Sequence, residues 1–277
     1  MSRVDWRRQT TLVTGASAGI GAEFARQLAT RGSDLVLVAR RADRLAALAV
    51  ELTASSGVRV DVVPADLSRP AAGRALAAEV DRRGIAVTSV VNCAGFGTHG
   101  PFHSEDADRL AEMIAVDVTA LVDVSRAFVD RLRAAGTGVL VNVASMAAYL
   151  STPDMATYAA AKAFVLSFTE ALWAESRDSG LRVLALSPGA TDTEFFDVLG
   201  TDAADGGRGR QSPQEVVLTA FRALESRTPP PSVAVGRANR ATLPVVRLLT
   251  RRRAVLLMAA ITGRAAAEDR TGRRAAA

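Results

Sequence analysis

Three features of the sequence predict a single-domain α/β fold built on a doubly wound parallel sheet of seven strands. Short β-prone runs alternate strictly with segments of helical apolar spacing. Several of those runs, Leu35 to Ala39 among them, are continuously apolar, as strands covered on both faces must be. A glycine-rich turn falls directly between the first strand and the first helix. Right-handed crossovers then make the doubly wound sheet the natural arrangement.

Thr10 to Val13 reads as the first strand, and Phe24, Ala25, Leu28 and Ala29 give Ala22 to Thr30 one apolar helical face. Leu35 to Ala39 is the second strand, followed by a helix over Arg41 to Ser55. Val58 to Val63 and Ala71 to Arg82 repeat the strand–helix pair. Thr88 to Asn92 leads through a Gly-rich loop ending at Gly100 into a long helix from Glu105 to Ala134. Gly138 to Val143, a helix over Thr157 to Ser176, and Leu181 to Leu186 follow. Gly200 to Gln211 reads as a mobile loop. Ser212-Pro213 starts a helix, with Ser212 as its cap and Pro213 in the first turn. After the Pro229 to Pro231 turn, Val233 to Val235 is the seventh strand. The domain is expected over 1–263, and 264–277 as a disordered, Ala/Arg-rich tail.

Of the 277 residues, 49% are apolar, enough for one large core. The single cysteine, Cys93, excludes an internal disulfide and fits a reducing compartment. No run approaches the ~18 apolar residues of a membrane span. Arg7-Arg8 leads into a strand without a signal-peptide pattern, so a cytoplasmic protein is expected. The formal charge of +5 arises from arginines spread along the chain, which argues against a nucleic-acid role.

The turn Thr14-Gly15-Ala16-Ser17-Ala18-Gly19-Ile20-Gly21 lets a backbone approach a pyrophosphate, with a helix N-terminus behind it. It marks a Rossmann-type nucleotide site. The same residues match the G-x-S-x-G elbow of hydrolases. That match is set aside, because only one strand precedes it and no histidine follows His99 and His103. Those two histidines suggest no metal set. The second strand ends in Ala39-Arg40-Arg41, where an NAD site would carry an acid. Arginines there suit a 2′-phosphate, which favours NADP(H) over NAD(H).

Lys162 is the only lysine in the chain, four residues after Tyr158. On a helix the two share a face one turn apart, which holds an ammonium beside a phenol. A compact ammonium can do there what a forked guanidinium cannot.

Taken together, these motifs resemble the short-chain dehydrogenase/reductase family in its single-domain branch, over about Thr10 to Phe196. The matching pieces are the Thr14 to Gly21 turn, Asp66-Leu67, Asn92-Cys93-Ala94-Gly95, Ser145, Tyr158-x-x-x-Lys162, and Pro188-Gly189 followed by Thr193. The resemblance implies that Gly15, Ser17, Gly19, Ile20 and Gly21 hold cofactor phosphates, with Arg40 and Arg41 beside them. It places Asp66 and Leu67 at the adenine, and Asn92, Ala94 and Gly95 along the adenosine and ribose. Thr193 would meet the nicotinamide, with Pro188, Gly189 and Thr191 completing that side. Tyr158 would be the general acid/base, Lys162 would bind the nicotinamide ribose, and Ser145 would polarise the carbonyl. The reaction implied is hydride transfer between NADP(H) and a carbonyl/alcohol pair. A free tyrosine titrates near ~10, so a phenolate base at neutral pH needs roughly 3 units of stabilisation, for which a buried ammonium is a direct source. A homodimer or homotetramer is the expected assembly.

One position departs from the family. The chain reads Val116-Asp117-Val118-Thr119-Ala120 where relatives commonly carry asparagine. An ionised Asp117 near Lys162 would favour the ammonium and disfavour the phenolate. It also keeps a second reading open, an NADP-binding sensor or scaffold without turnover. Phe96, His99, Phe102, Met146, Tyr149 and Leu150 are expected to line an apolar substrate pocket, with Phe195, Phe196 and the Gly200 to Gln211 loop as a lid. This favours a hydrophobic ketone or aldehyde. Residues 241–261 alternate apolar clusters with arginines. Packing on the domain or on a dimer partner is favoured for them over contact with a membrane surface.

Overall fold

The structure is a computed structural model that describes residues 4–201 and 209–262. The expected tail, 264–277, and the centre of the Gly200 to Gln211 loop lie outside the described residues. Seven parallel strands form one sheet: β1 (Thr10–Thr14), β2 (Asp34–Ala39), β3 (Val60–Pro64), β4 (Ser89–Asn92), β5 (Val139–Val143), β6 (Arg182–Ser187) and β7 (Ser232–Ala234). Their order, β3-β2-β1-β4-β5-β6-β7, reverses between β1 and β4. That switch point is where ligands enter such sheets.

Period-two alternation divides the strand side chains between two apolar layers. Val13, Leu35, Leu37 and Val141 face one layer with α1 (Gly19–Thr30), α2 (Ala42–Ser56) and α8 (Pro213–Leu224). Leu12, Val36, Val38 and Leu140 face the other, with α3 (Ala72–Arg82) and α5 (Leu121–Ala135). Phe24 and Phe221 anchor the first layer and Phe128 the second, each at most 2% exposed. The predicted start of α8 is present: Ser212 accepts from the Glu215 N–H at 3.1 Å, with Pro213 in the first turn.

The long helix expected from Glu105 to Ala134 is not uniform. It runs as α4 (Ala107–Ile114), a π-helical segment (Ala115–Ala120) and then α5. The wider π turn carries Asp117 inward, to 1% exposure. Helix α6 (Ala156–Glu175) packs along the sheet, with Val165 and Leu166 clustered with Ala185 of β6, and α7 (Phe195–Leu199), α9 (Arg237–Leu248) and α10, spanning 251–262, lie near the C-terminal end of the sheet.

Candidate active site

A cavity of about 830 Å³ opens above the switch point, from the glycine turn to α9 and α10. Gly15 has φ +68°, and a Cβ there would stand 2.9 Å from Ala94 Cα. At Gly21 a Cβ would lie 2.3 Å from the Gly15 carbonyl oxygen. Glycine at both positions lets strand, turn and helix close this tightly. Helix α1 starts at Gly19 with Ala18 as its cap, which offers no side-chain acceptor. First-turn N–H groups are thereby left for an anion. Thr14 Oγ1 accepts from the N–H groups of Cys93 and Ala94 at 3.0 and 3.1 Å, tying the end of β1 to the loop after β4.

Two arginines stand on the rim of this groove. Arg41 donates to Ser17 Oγ from Nε and Nη2 at 3.2 and 3.0 Å, and its Nη1 meets Glu194 Oε2 at 2.8 Å. Arg44 also pairs with Glu194. Arg40 points to Glu112 at 3.2 Å with its side chain 63% exposed. Asp66 accepts from the Ser68 hydroxyl and N–H, bonds that hold its carboxyl below the usual range. Asp66, Leu67, Ala94, Gly95, Pro188, Gly189, Thr191 and Thr193 all line the cavity. Uncapped helix, glycine turn and rim cations fit a phosphorylated dinucleotide. Asn92 is not among the residues lining the cavity. Its amide nitrogen is spent on Ser125 Oγ and Asn142 Oδ1, at 3.1 and 2.9 Å, and the side chain braces β4 and β5 from behind the cavity.

Ser145 follows β5 and its Oγ accepts from the Ala147 N–H at 3.1 Å. Helix α6 presents Tyr158 and Lys162 to the same cavity, both buried. The Lys162 ammonium lies 5.6 Å from the Tyr158 ring centroid and donates to the Val143 carbonyl at 3.2 Å. It also stands 3.0 Å from Asp117 Oδ2. Asp117 Oδ1 accepts from the Phe96 N–H at 3.0 Å, whereas Oδ2 has no well-aligned donor among the described residues, so its contact with Lys162 is ionic. Asp117 thus reaches the Tyr158–Lys162 pair from beneath the cavity wall.

The electrostatics of the three groups are coupled. Burial pushes the Tyr158 phenol up and Asp117 adds to this, while Lys162 and a hydrogen bond with Ser145 oppose it; the net direction is up. The ammonium therefore acts in the expected sense but is outweighed. Burial alone would push Lys162 down; Asp117 and Tyr158 reverse this and hold it cationic. Burial raises Asp117 as well, against the pull of Lys162 and the Phe96 N–H.

On the substrate side, Phe96, His99, Met146, Leu150, Phe195 and Phe196 line the cavity. Phe195 sits 5.5 Å from the Tyr158 ring. Two expected lining residues are not there. Phe102 is 68% exposed, in a short 3-10 turn (Phe102–Ser104). Tyr149 packs with the Leu121–Val165 cluster, where its hydroxyl accepts from Ser187 Oγ at 3.4 Å.

Sequence reasoning missed three contributors. Glu194 was not singled out. Gln211 accepts from the Gly189 N–H through Oε1 at 3.0 Å, and its backbone pairs with Ala190 and Asp192, clamping the loop after β6. Helices α9 and α10, with Leu249 between them, supply Val245, Val246, Leu257, Met258 and Ile261 to the cavity wall.

The family model described as "short chain dehydrogenase" matches residues 9–204. A 7beta-hydroxysteroid dehydrogenase of Collinsella aerofaciens is 30% identical over 235 residues, 83% of this chain and 86% of that protein. The probable oxidoreductase EphD of Mycobacterium tuberculosis is 34% identical over 206 residues, 72% of this chain and 35% of that longer protein. Among solved structures, a short-chain dehydrogenase from Sphingobium yanoikuyae in complex with NADPH superposes with a TM-score of 0.76. It is 34% identical and covers 86% of this chain and 93% of its own. The chain belongs to the short-chain dehydrogenase family of oxidoreductases.

Proposed function

We propose that this chain is an NADP(H)-dependent oxidoreductase that interconverts a hydrophobic ketone or aldehyde and its alcohol. The reading rests on one convergence. Ser145, Tyr158 and Lys162 share a cavity with the glycine turn and with Arg41, and the rest of its wall is largely apolar. The Sphingobium relative, solved with NADPH, supports the cofactor assignment. A bound nicotinamide would supply the two-electron chemistry at the substrate carbon.

The protein's own residues handle the proton. Ser145 donates to the substrate oxygen as charge develops there. Tyr158, kept protonated by burial and Asp117, gives its phenolic proton to the same oxygen in the reducing direction. Lys162 stays cationic beside it and offsets the phenolate that results. Arg41 and Ser17 would receive the 2′-phosphate. Apolar side chains around Phe195 exclude water.

One observation favours a second reading, an NADP-binding sensor without turnover: Asp117 already holds the ammonium at 3.0 Å. Absorbance assays of a panel of apolar ketones and aldehydes with NADPH and NADH separate the two. Turnover with NADPH is expected, with kcat/KM at least about tenfold lower for NADH, which forgoes the charge-assisted bonds. Tight NADPH binding without oxidation across the panel would establish the sensor, and equal use of both cofactors would overturn the assignment of Arg41.

A further inference from the structure

Residues 237–262 contain six arginines and no acidic residue. They fold as α9 and α10, and α10 has two distinct faces. Ala254, Leu257, Met258 and Ile261 recur at i, i+3, i+4 and i+7, the stripe of one helix face. Ala254 is buried, and the other three line the cavity. Packing on the domain accounts for that stripe. It does not account for the opposite side, where Arg252, Val255 and Leu256 share a face by the same spacing. Val255 and Leu256 are 39% and 58% exposed, and Leu248 at the end of α9 is 87% exposed.

The exposed apolar residues adjoin the cavity mouth. Val245, 59% exposed, and Leu257, 46% exposed, also belong to the cavity wall. Arg251, Arg252 and Arg253 are exposed and make no ion pair among the described residues. A surface combining apolar side chains with unopposed cations complements an anionic lipid surface, whose headgroups take the arginines while the apolar residues enter below them. An acidic protein partner would match the arginines and leave Leu248 and Leu256 without a role.

We propose that α9 and α10 dock this protein on an anionic membrane surface, with the mouth of the cavity toward the lipid. The sequence favoured packing on the domain or on a dimer partner for this stretch, and packing on the domain accounts for the inward stripe only. No described helix is long and apolar enough to cross a membrane, so the proposed contact is peripheral.

Flotation of the purified full-length chain with phosphatidylcholine vesicles, with and without phosphatidylglycerol, tests this. The chain should float with the anionic vesicles only, and added salt should release it. Leu248 and Leu256 lie outside the cavity wall. The L248S/L256S variant should bind about tenfold more weakly while keeping wild-type affinity for NADPH. R251Q/R252Q/R253Q should lose the preference for anionic lipid. Failure of the wild type to float with anionic vesicles would overturn the proposal. So would undiminished flotation of both variants. Conversion of a dimer to a monomer by L248S/L256S, without vesicle binding by the wild type, would assign the face to a second copy instead.

Discussion

The two ends of the sheet bury polar side chains to opposite effect. At the N-terminal end, Gln9 is 3% exposed and its Oε1 accepts from Thr88 Oγ1 and Ser89 Oγ at 2.7 and 2.9 Å. Ser89 Oγ in turn accepts from the Val139 N–H at 3.0 Å, and Thr11 shares a hydrogen bond with Ser33 at 2.9 Å. These groups are neutral and partnered, and the network stitches β1, β4 and β5 together. At the C-terminal end, Asp117, Tyr158 and Lys162 are also buried but ionisable, and Asp117 Oδ2 lacks an aligned donor among the described residues. Satisfied polar burial specifies a fold, whereas imbalance between coupled charges leaves proton affinity adjustable. A stability function and a proposed chemical function thus occupy opposite edges of the same strands.

Three substitutions test that contrast. Tyr158→Phe should lower kcat/KM by about 10²–10⁴-fold, the usual range for losing a positioned acid/base, with little change in urea midpoint. Retained activity would remove Tyr158 from the proposed chemistry. Gln9→Ala should do the reverse. Leaving Thr88 and Ser89 short of an acceptor is expected to cost about 2 kcal/mol in denaturant unfolding, with an unaltered pH–rate profile. The smallest effect belongs to Asp117→Asn. Asp117 raises the Tyr158 phenol, so removing its charge lowers the folded-state pKa and moves the rising limb of the oxidation rate, where the phenol loses its proton, toward lower pH. A stationary limb would mean that the carboxylate and the phenol are uncoupled.

Much of this contrast could be read from the residues, for reasons that differ from place to place. The strands were legible because runs such as Leu35 to Ala39 are apolar throughout, which only a doubly covered sheet needs. The Tyr158–Lys162 pair was legible because helix geometry makes i and i+4 neighbours wherever the helix sits. Asp117 was noticed as a chemical anomaly, yet its π segment was not. Apolar spacing hardly differs between an α helix and one widened turn, so the backbone departure leaves no pattern. Phe102 and Asn92 lie off the cavity wall for another reason. Sequence position placed them beside the cavity, but only packing decided which way each side chain turned. Gln211, Glu194 and the wall built by α9 and α10 are contacts across long sequence separations, which no local pattern encodes.

Glu194 gives the nucleotide groove an internal competitor. Its carboxylate already pairs with Arg41, a cation on the rim of the groove, and with Arg44, and it immediately precedes α7. On the role proposed for Arg41, ligation at that rim would be an exchange rather than a simple addition: one anion would leave as another arrived. The displaced carboxylate belongs to the segment leading into Phe195 and Phe196, so occupancy of the groove and the position of the aromatic wall would become terms of a single equilibrium.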